Sequence, residues 1–356
     1  MIMYLHLVTK VRDGMGVVML ATAFLLQAGC SEPSAPVSDD LTTGASTGIR
    51  SASVSKDDEL WLVAGKGRLL RISSSLQINE QSNFENEIQD LFFLNNKQGW
   101  VVDLKDRVSR TTDGGLSWAI LSRFEGNTPN SKLPSSLVFA DSETGWFVDA
   151  FNVWTTNDGA QSWSRLYPSG GATYHNLKAQ PTLFFPVDLT TGWIGMTSGK
   201  VLLATDKGVI RTEIGNGNLD IDSLFSFNEK VCWAGTWNSG GLFYTTDGGK
   251  EWRQMLKDED KSNLGISSIF FLSQDVGWLA GTRFDTNTRS QNKSPGVVMK
   301  TADGGKTWIR LEGEFNGEPL HYVKFLNNES GWLVGENSVF RTTDGGIKWQ
   351  KVFQAN

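Results

Sequence analysis

Six aspartates recur along this 356-residue sequence, at Asp113, Asp158, Asp206, Asp247, Asp303 and Asp344. A carboxylate can ligate a hard cation, act as a general acid or base, or attack a glycosidic carbon, so a recurring one raises all three chemistries. The neighbours of these residues argue for a fourth role. Four of them stand in one phrase: Thr112-Asp113-Gly114-Gly115-Leu116-Ser117-Trp118, Thr246-Asp247-Gly248-Gly249-Lys250-Glu251-Trp252, Ala302-Asp303-Gly304-Gly305-Lys306-Thr307-Trp308 and Thr343-Asp344-Gly345-Gly346-Ile347-Lys348-Trp349. Worn copies stand at Asp158-Gly159-Ala160-Gln161-Ser162-Trp163 and Asp206-Lys207-Gly208. Glycines reach positive φ without strain, and a carboxylate just before them can accept backbone N–H groups across a turn. The aspartates therefore read as turn supports. No metal or cofactor is implied, since His175 and His321 are the only histidines after residue 29 and no cysteine partners them. The paired glycines open no helix, so they are not a phosphate cradle.

The elements that hold these residues follow from the spacing. Successive aspartates are 45, 48, 41, 56 and 41 residues apart, a period that marks one supersecondary unit repeated as an array. A second phrase runs in phase with the first. Trp61, Trp100, Trp146, Trp193, Trp233, Trp278 and Trp332 each open a short apolar strand, five of them as Gly-Trp. Counting by this tryptophan gives seven units, the first with Ser74 where the aspartate belongs. In the second unit an apolar run from Ile88 to Leu94, the strand at Trp100, the alternation from Val108 to Thr112 and the run from Trp118 are separated by turns. That is a meander of four antiparallel strands. The expected fold class is all-β, a seven-bladed β-propeller of four-stranded antiparallel blades over residues 51–356. Each aspartate turn falls between the third and fourth strands, with its closing tryptophan against the neighbouring sheet. One acid per blade around a rim cannot converge on one substrate.

The turn phrase resembles the Asp-box. Together with the Gly-Trp phrase, it makes the chain resemble the photosystem II stability/assembly factor family of seven-bladed propellers. The resemblance implies a non-enzymatic protein that binds nascent subunits during assembly of a membrane complex. Sialidases share the Asp-box, so a glycan-binding or glycoside hydrolase propeller is the rival expectation. Their Arg-Ile-Pro motif is missing, Arg71-Ile72-Ser73 being the nearest string, and only Tyr167, Tyr174, Tyr244 and Tyr322 remain after residue 29.

The N-terminus points to export. Lys10 and Arg12 precede an apolar stretch from Met15 to Leu26, too short to span a bilayer as a helix. It ends in Leu25-Leu26-Gln27-Ala28-Gly29-Cys30, which resembles the lipobox of bacterial lipoproteins, with Gln27 where Leu is usual. Residues 1–29 are then a lipoprotein-type signal peptide, and Cys30 the lipidated residue. Residues 30–50, rich in Ser, Thr, Ala, Pro and Gly, form a flexible tether. The expected location is the cell envelope, on the outer membrane or the periplasmic side of a membrane. Cys232 sits in the glycine slot before Trp233 and reads as a small buried residue.

The formal charge of −6, or −7 without the leader, opposes nucleic-acid binding, which rests on clustered Lys and Arg. Membrane contact is expected through the lipid alone, and the protein as a monomer. The candidate partner surface lies where the chain departs from its own repeat. Trp237 belongs to neither phrase; the 283–296 insertion carries Arg283, Arg289 and Lys293; the 167–180 segment adds Tyr167, Tyr174 and His175. An envelope or membrane protein subunit is the expected partner.

Overall fold

The computed structural model describes residues 48–65, 67–124, 136–149, 151–167, 179–205, 208–214, 219–237, 241–256, 263–284, 295–315 and 317–355. They form seven four-stranded antiparallel sheets, each built from four strands consecutive in the chain. The first strands are Ile49–Val54, Ile88–Phe93, Ser136–Phe139, Pro181–Pro186, Ile221–Ser226, Leu264–Phe271 and Leu320–Phe325. They pack on the first strands of neighbouring blades and are almost wholly buried, which makes them the inner wall. Fourth strands such as Ala119–Arg123 are largely exposed and form the rim. Ile49 and Arg50, which composition assigns to the tether, lie in the first strand, where the Ile49 N–H donates to the Glu336 carbonyl at 2.7 Å.

The Gly-Trp phrase has a steric cause. Gly99 lies opposite Phe93 across the first strand pair of blade two, and a Cβ on Gly99 would come within 2.6 Å of the Phe93 ring. That ring in turn stacks on Trp61 of the preceding blade, with centroids 3.8 Å apart and planes 2° from parallel. The same triangle recurs for Gly145, Phe139 and Trp100, for Gly277, Phe271 and Trp233, and for Gly331, Phe325 and Trp278. Glycine is needed so that a phenylalanine can lie flat and carry the preceding blade's tryptophan. Blade five confirms the logic by exception. Cys232 replaces the glycine there, Ser226 stands opposite in place of phenylalanine, and Trp193 donates its indole N–H to Ser226 at 3.1 Å. Cys232 is buried, as expected for a small residue in that slot.

The aspartate turn is the other half of the same junction. In blade two, Asp113 accepts from the Leu116 and Ser117 amides and from the Thr111 and Ser117 hydroxyls at 2.5–3.1 Å. The buried Thr111 hydroxyl also accepts from the Gly115 amide at 2.8 Å. Equivalent bonds form at Asp158, Asp247, Asp303 and Asp344. These bonds stabilise the charged form: the Ser117 and Thr307 hydroxyls hold the Asp113 and Asp303 carboxyls at about 2. At two junctions a turn carbonyl receives the tryptophan of the blade before. Trp100 donates to the Gly159 carbonyl at 3.1 Å and Trp278 to that of Gly345 at 3.4 Å. The closing tryptophans also lie at blade junctions; Trp252, for example, meets Trp193 of blade four edge-on at 6.1 Å. The worn turn at Asp158 keeps the geometry although Ala160 takes the second glycine's place, at φ 83°. Asp206 lies outside the described residues.

The ring closes without strand exchange, because blade seven is made of Leu320–Phe325, Gly331–Gly335, Ser338–Thr342 and Gln350–Gln354. Blade one has no aspartate turn to receive Trp332. Asp58, at φ 60° in the turn after its first strand, substitutes for one. It accepts from the Trp332 indole at 2.8 Å and pairs with Arg341 at 2.6 Å. Lys324, buried on the inner strand, donates to the Val54 carbonyl at 2.9 Å across the same seam.

Candidate functional site

In an antiparallel meander the strand ends alternate between two faces. The aspartate turns share one face with the connections between first and second strands. The opposite face carries the connections between blades and between second and third strands. Trp237, Arg283 and the flanks of the 168–178 segment all belong to this second face.

Trp237 follows the strand Cys232–Thr236 of blade five and is half-buried. Its amide donates to Asp222 at 3.0 Å. Its indole meets Phe284 of blade six edge-on at 5.2 Å and lies nearly parallel to His321 of blade seven at 6.3 Å. The tryptophan thus spans three blades, an aromatic lid beside the inner wall with part of its surface open. Packing and accessibility coexist at this residue.

His321 is the residue sequence reasoning undervalued. It occupies the bulge that displaces the first strand of blade seven between Leu320 and Tyr322. Its ring is buried and Nε2 has no hydrogen-bond partner. Burial alone lowers it to about 4, so the imidazole is neutral at physiological pH. A bulge displaces one side chain from the alternation of the strand, so nothing in a residue pattern marks this position in advance.

Other candidates fare differently. Tyr167 is not a surface residue: it ends the strand Ser164–Tyr167, pairs with Val153 and is 6% exposed within the core between blades two and four. Its place at the start of the inter-blade segment suggests exposure, but its side chain packs into that core. Arg283 ends the strand Gly277–Arg283, pairs with Leu264 and is partly exposed. Tyr174, His175, Arg289 and Lys293 lie outside the described residues, as does Cys30. Among the described residues no group of three His, Cys, Asp or Glu side chains is placed to hold a metal ion. Asp90, the one carboxylate among the described residues that is completely buried, is occupied in joining three blades: it accepts from the Ser51 hydroxyl at 2.5 Å and the Leu137 amide at 2.7 Å.

Seven four-stranded blades with a repeated aspartate turn define a seven-bladed repeat propeller. No family model matches the chain. It is homologous to the photosystem II assembly factors Ycf48 and HCF136. The photosystem II stability/assembly factor HCF136 of Oryza sativa subsp. japonica is 21% identical over 316 residues, 74% of this chain and 69% of that protein. The photosystem II assembly lipoprotein Ycf48 of a Synechococcus strain is 31% identical over 109 residues, a match that spans 30% of this chain and 29% of that protein. A solved Ycf48 bound to a D1 peptide superposes with a TM-score of 0.61 at 13% identity, covering 85% of this chain and 94% of that one. A streptogramin B lyase superposes with the same TM-score at 12% identity, covering 85% and 95% of the two chains. The propeller architecture thus serves enzymes as well as assembly factors, and the fold alone does not choose between them.

Proposed function

We propose that this chain is a non-enzymatic assembly scaffold, anchored in the envelope through lipid on Cys30, that holds a segment of a membrane protein while a larger complex forms. The observation that carries the reading is the sequence match to photosystem II assembly factors over 74% of the chain. The aspartate turns support it from the other side, since every described aspartate is committed to the backbone of its own turn. The client docks on the loop face, around Trp237 and Arg283 together with the connections that carry Arg289, Lys293, Tyr174 and His175. A half-buried aromatic beside arginine is the usual composition of an interface anchor.

The test is the purified chain titrated with overlapping peptides that tile the D1 polypeptide. Binding to a discrete stretch is expected, weakened by Trp237→Ala combined with Arg283→Ala and Arg289→Ala. Binding of none of the peptides would sink the reading. Turnover of a sialoside or β-glucan that disappears with one carboxylate would replace it with catalysis. For the anchor, Cys30→Ser should leave uncleaved precursor without labelled palmitate, and a wild type that takes up no label refutes lipidation.

A further inference from the structure

Blade four departs from the other six at its rim. Its outer strands, Lys200–Thr205 and Gly208–Glu213, pair through all six residues with no break in register. The two residues 206–207 join them, where five other blades use seven ending in tryptophan. A straight, unbulged outer strand presents a row of unpaired backbone N–H and C=O groups, the template on which a further strand adds. The other rims are blunted. Register breaks interrupt the outer pairs of blades one, two, three and seven. The outer strands of blades five and six are only two and three residues long.

A cleft of about 360 Å³ runs beside this edge, with Leu203, Ile210 and Thr212 on one wall and Glu229, Lys230 and the aspartate turn 247–250 of blade five on the other. Leu203 and Ile210 are cross-strand partners and share a face. Ile210 is 55% exposed, an apolar side chain at the mouth of the cleft. The strand runs from the aspartate-turn face, where the cleft opens, toward the loop face, where Glu213 ends it. Only its Glu213 end reaches the proposed docking face.

We propose that Gly208–Glu213 takes up an extended segment of the client polypeptide as a fifth strand of blade four, with an apolar side chain of that segment seated against Ile210. The backbone ladder supplies affinity for any extended chain, and the cleft supplies the choice of side chain. Both signs of charge line the cleft, so selection there is by shape and apolar contact. The inference rests on the scaffold reading, because it takes the client to be a polypeptide. A second copy of this chain is the other occupant such an edge admits, and a net charge of −6 opposes it.

The experiment uses the full chain and the D1-tiling peptides. A bound peptide should protect the amides of residues 208–213 from hydrogen exchange. Ile210→Lys should weaken it about tenfold or more, while Ile120→Lys on the rim of blade two leaves affinity unchanged. Should Ile210→Lys melt lower than the parent, exchange protection decides alone. Protection confined to the loop face, with Ile210→Lys neutral, overturns the edge site and leaves the scaffold reading standing. No binding by any peptide overturns both. A dimer in sedimentation that Ile210→Lys dissolves assigns the edge to a second copy and also overturns the proposal.

Discussion

An alanine at position 99 would place its Cβ 2.6 Å from the Phe93 ring. Gly99→Ala is therefore expected to destabilise by about 1–3 kcal/mol, as overpacking does. Cys232→Ala, where no ring faces the strand, should cost about 1 kcal/mol or less. Urea unfolding of the two variants compares them directly. Two buried bases set the pH response. His321 titrates at about 4 in the folded chain against an ordinary 6.5, so the unfolded chain binds the proton first. The His321 contribution is therefore full above pH 6.5 and is lost as pH drops toward 4. Lys324 titrates at about 7 against 10.5 because burial disfavours the ammonium. By the same rule stability rises between pH 7 and 10.5, and is lowest below 7. His321→Phe should flatten the acid limb and Lys324→Met the alkaline one; unchanged slopes would mean that neither group is desolvated in solution.

The blade junction is the unit of stability in this array, and its parts vary together. Gly115 sits at φ 86° with Leu69 of blade one 2.8 Å from where a Cβ would stand. In blade three the corresponding residue is Ala160, also at positive φ, and Val108 of blade two holds the place of Leu69, pairing as it does two residues beyond the strand tryptophan. Gly115→Ala should cost about 1–2 kcal/mol for the left-handed backbone alone. Adding Leu69→Val should recover the part due to collision, leaving a total smaller than the sum of the two single changes in a double-mutant cycle. The architecture is readable from sequence because the residues that repeat are the ones that join blades: the turn aspartates, the glycines and both sets of tryptophans. The candidate site is readable only in part. Trp237 stands out because it breaks the repeat, and it does reach the loop face. His321 hides in a strand bulge, and Tyr167 looks exposed until the fold buries it.

Seen as a whole, the ring closes at one improvised seam, between blades seven and one. Asp58 there does alone what an aspartate turn does elsewhere, receiving Trp332 and Arg341. Burial pulls the Arg341 guanidinium down and Asp58 opposes that pull. Asp58→Ala leaves both donors facing a vacancy. The expected cost is about 2–3 kcal/mol, below the usual figure for breaking a buried pair because the Asp58 side chain keeps 27% exposure. Hydrogen exchange should show blades one and seven opening first, and protection lost evenly around the ring would refute a local seam. In a nearest-neighbour array, damage spreads outward from the weakest interface.

Ile49 and Ala355 donate to the carbonyls of Glu336 and Asn337, adjacent residues of one turn. The described chain thus begins and ends at a single spot, with every blade whole in between. Sequence order and spatial order coincide, so the cut in the circle is arbitrary in principle. The same protein could be rewritten to start at any blade, its old ends joined by a short link and its new ones placed between Ser226 and Cys232 or at any other turn. Here the molecule behaves as a bracelet with a clasp, and growth or loss by whole links needs no rethreading.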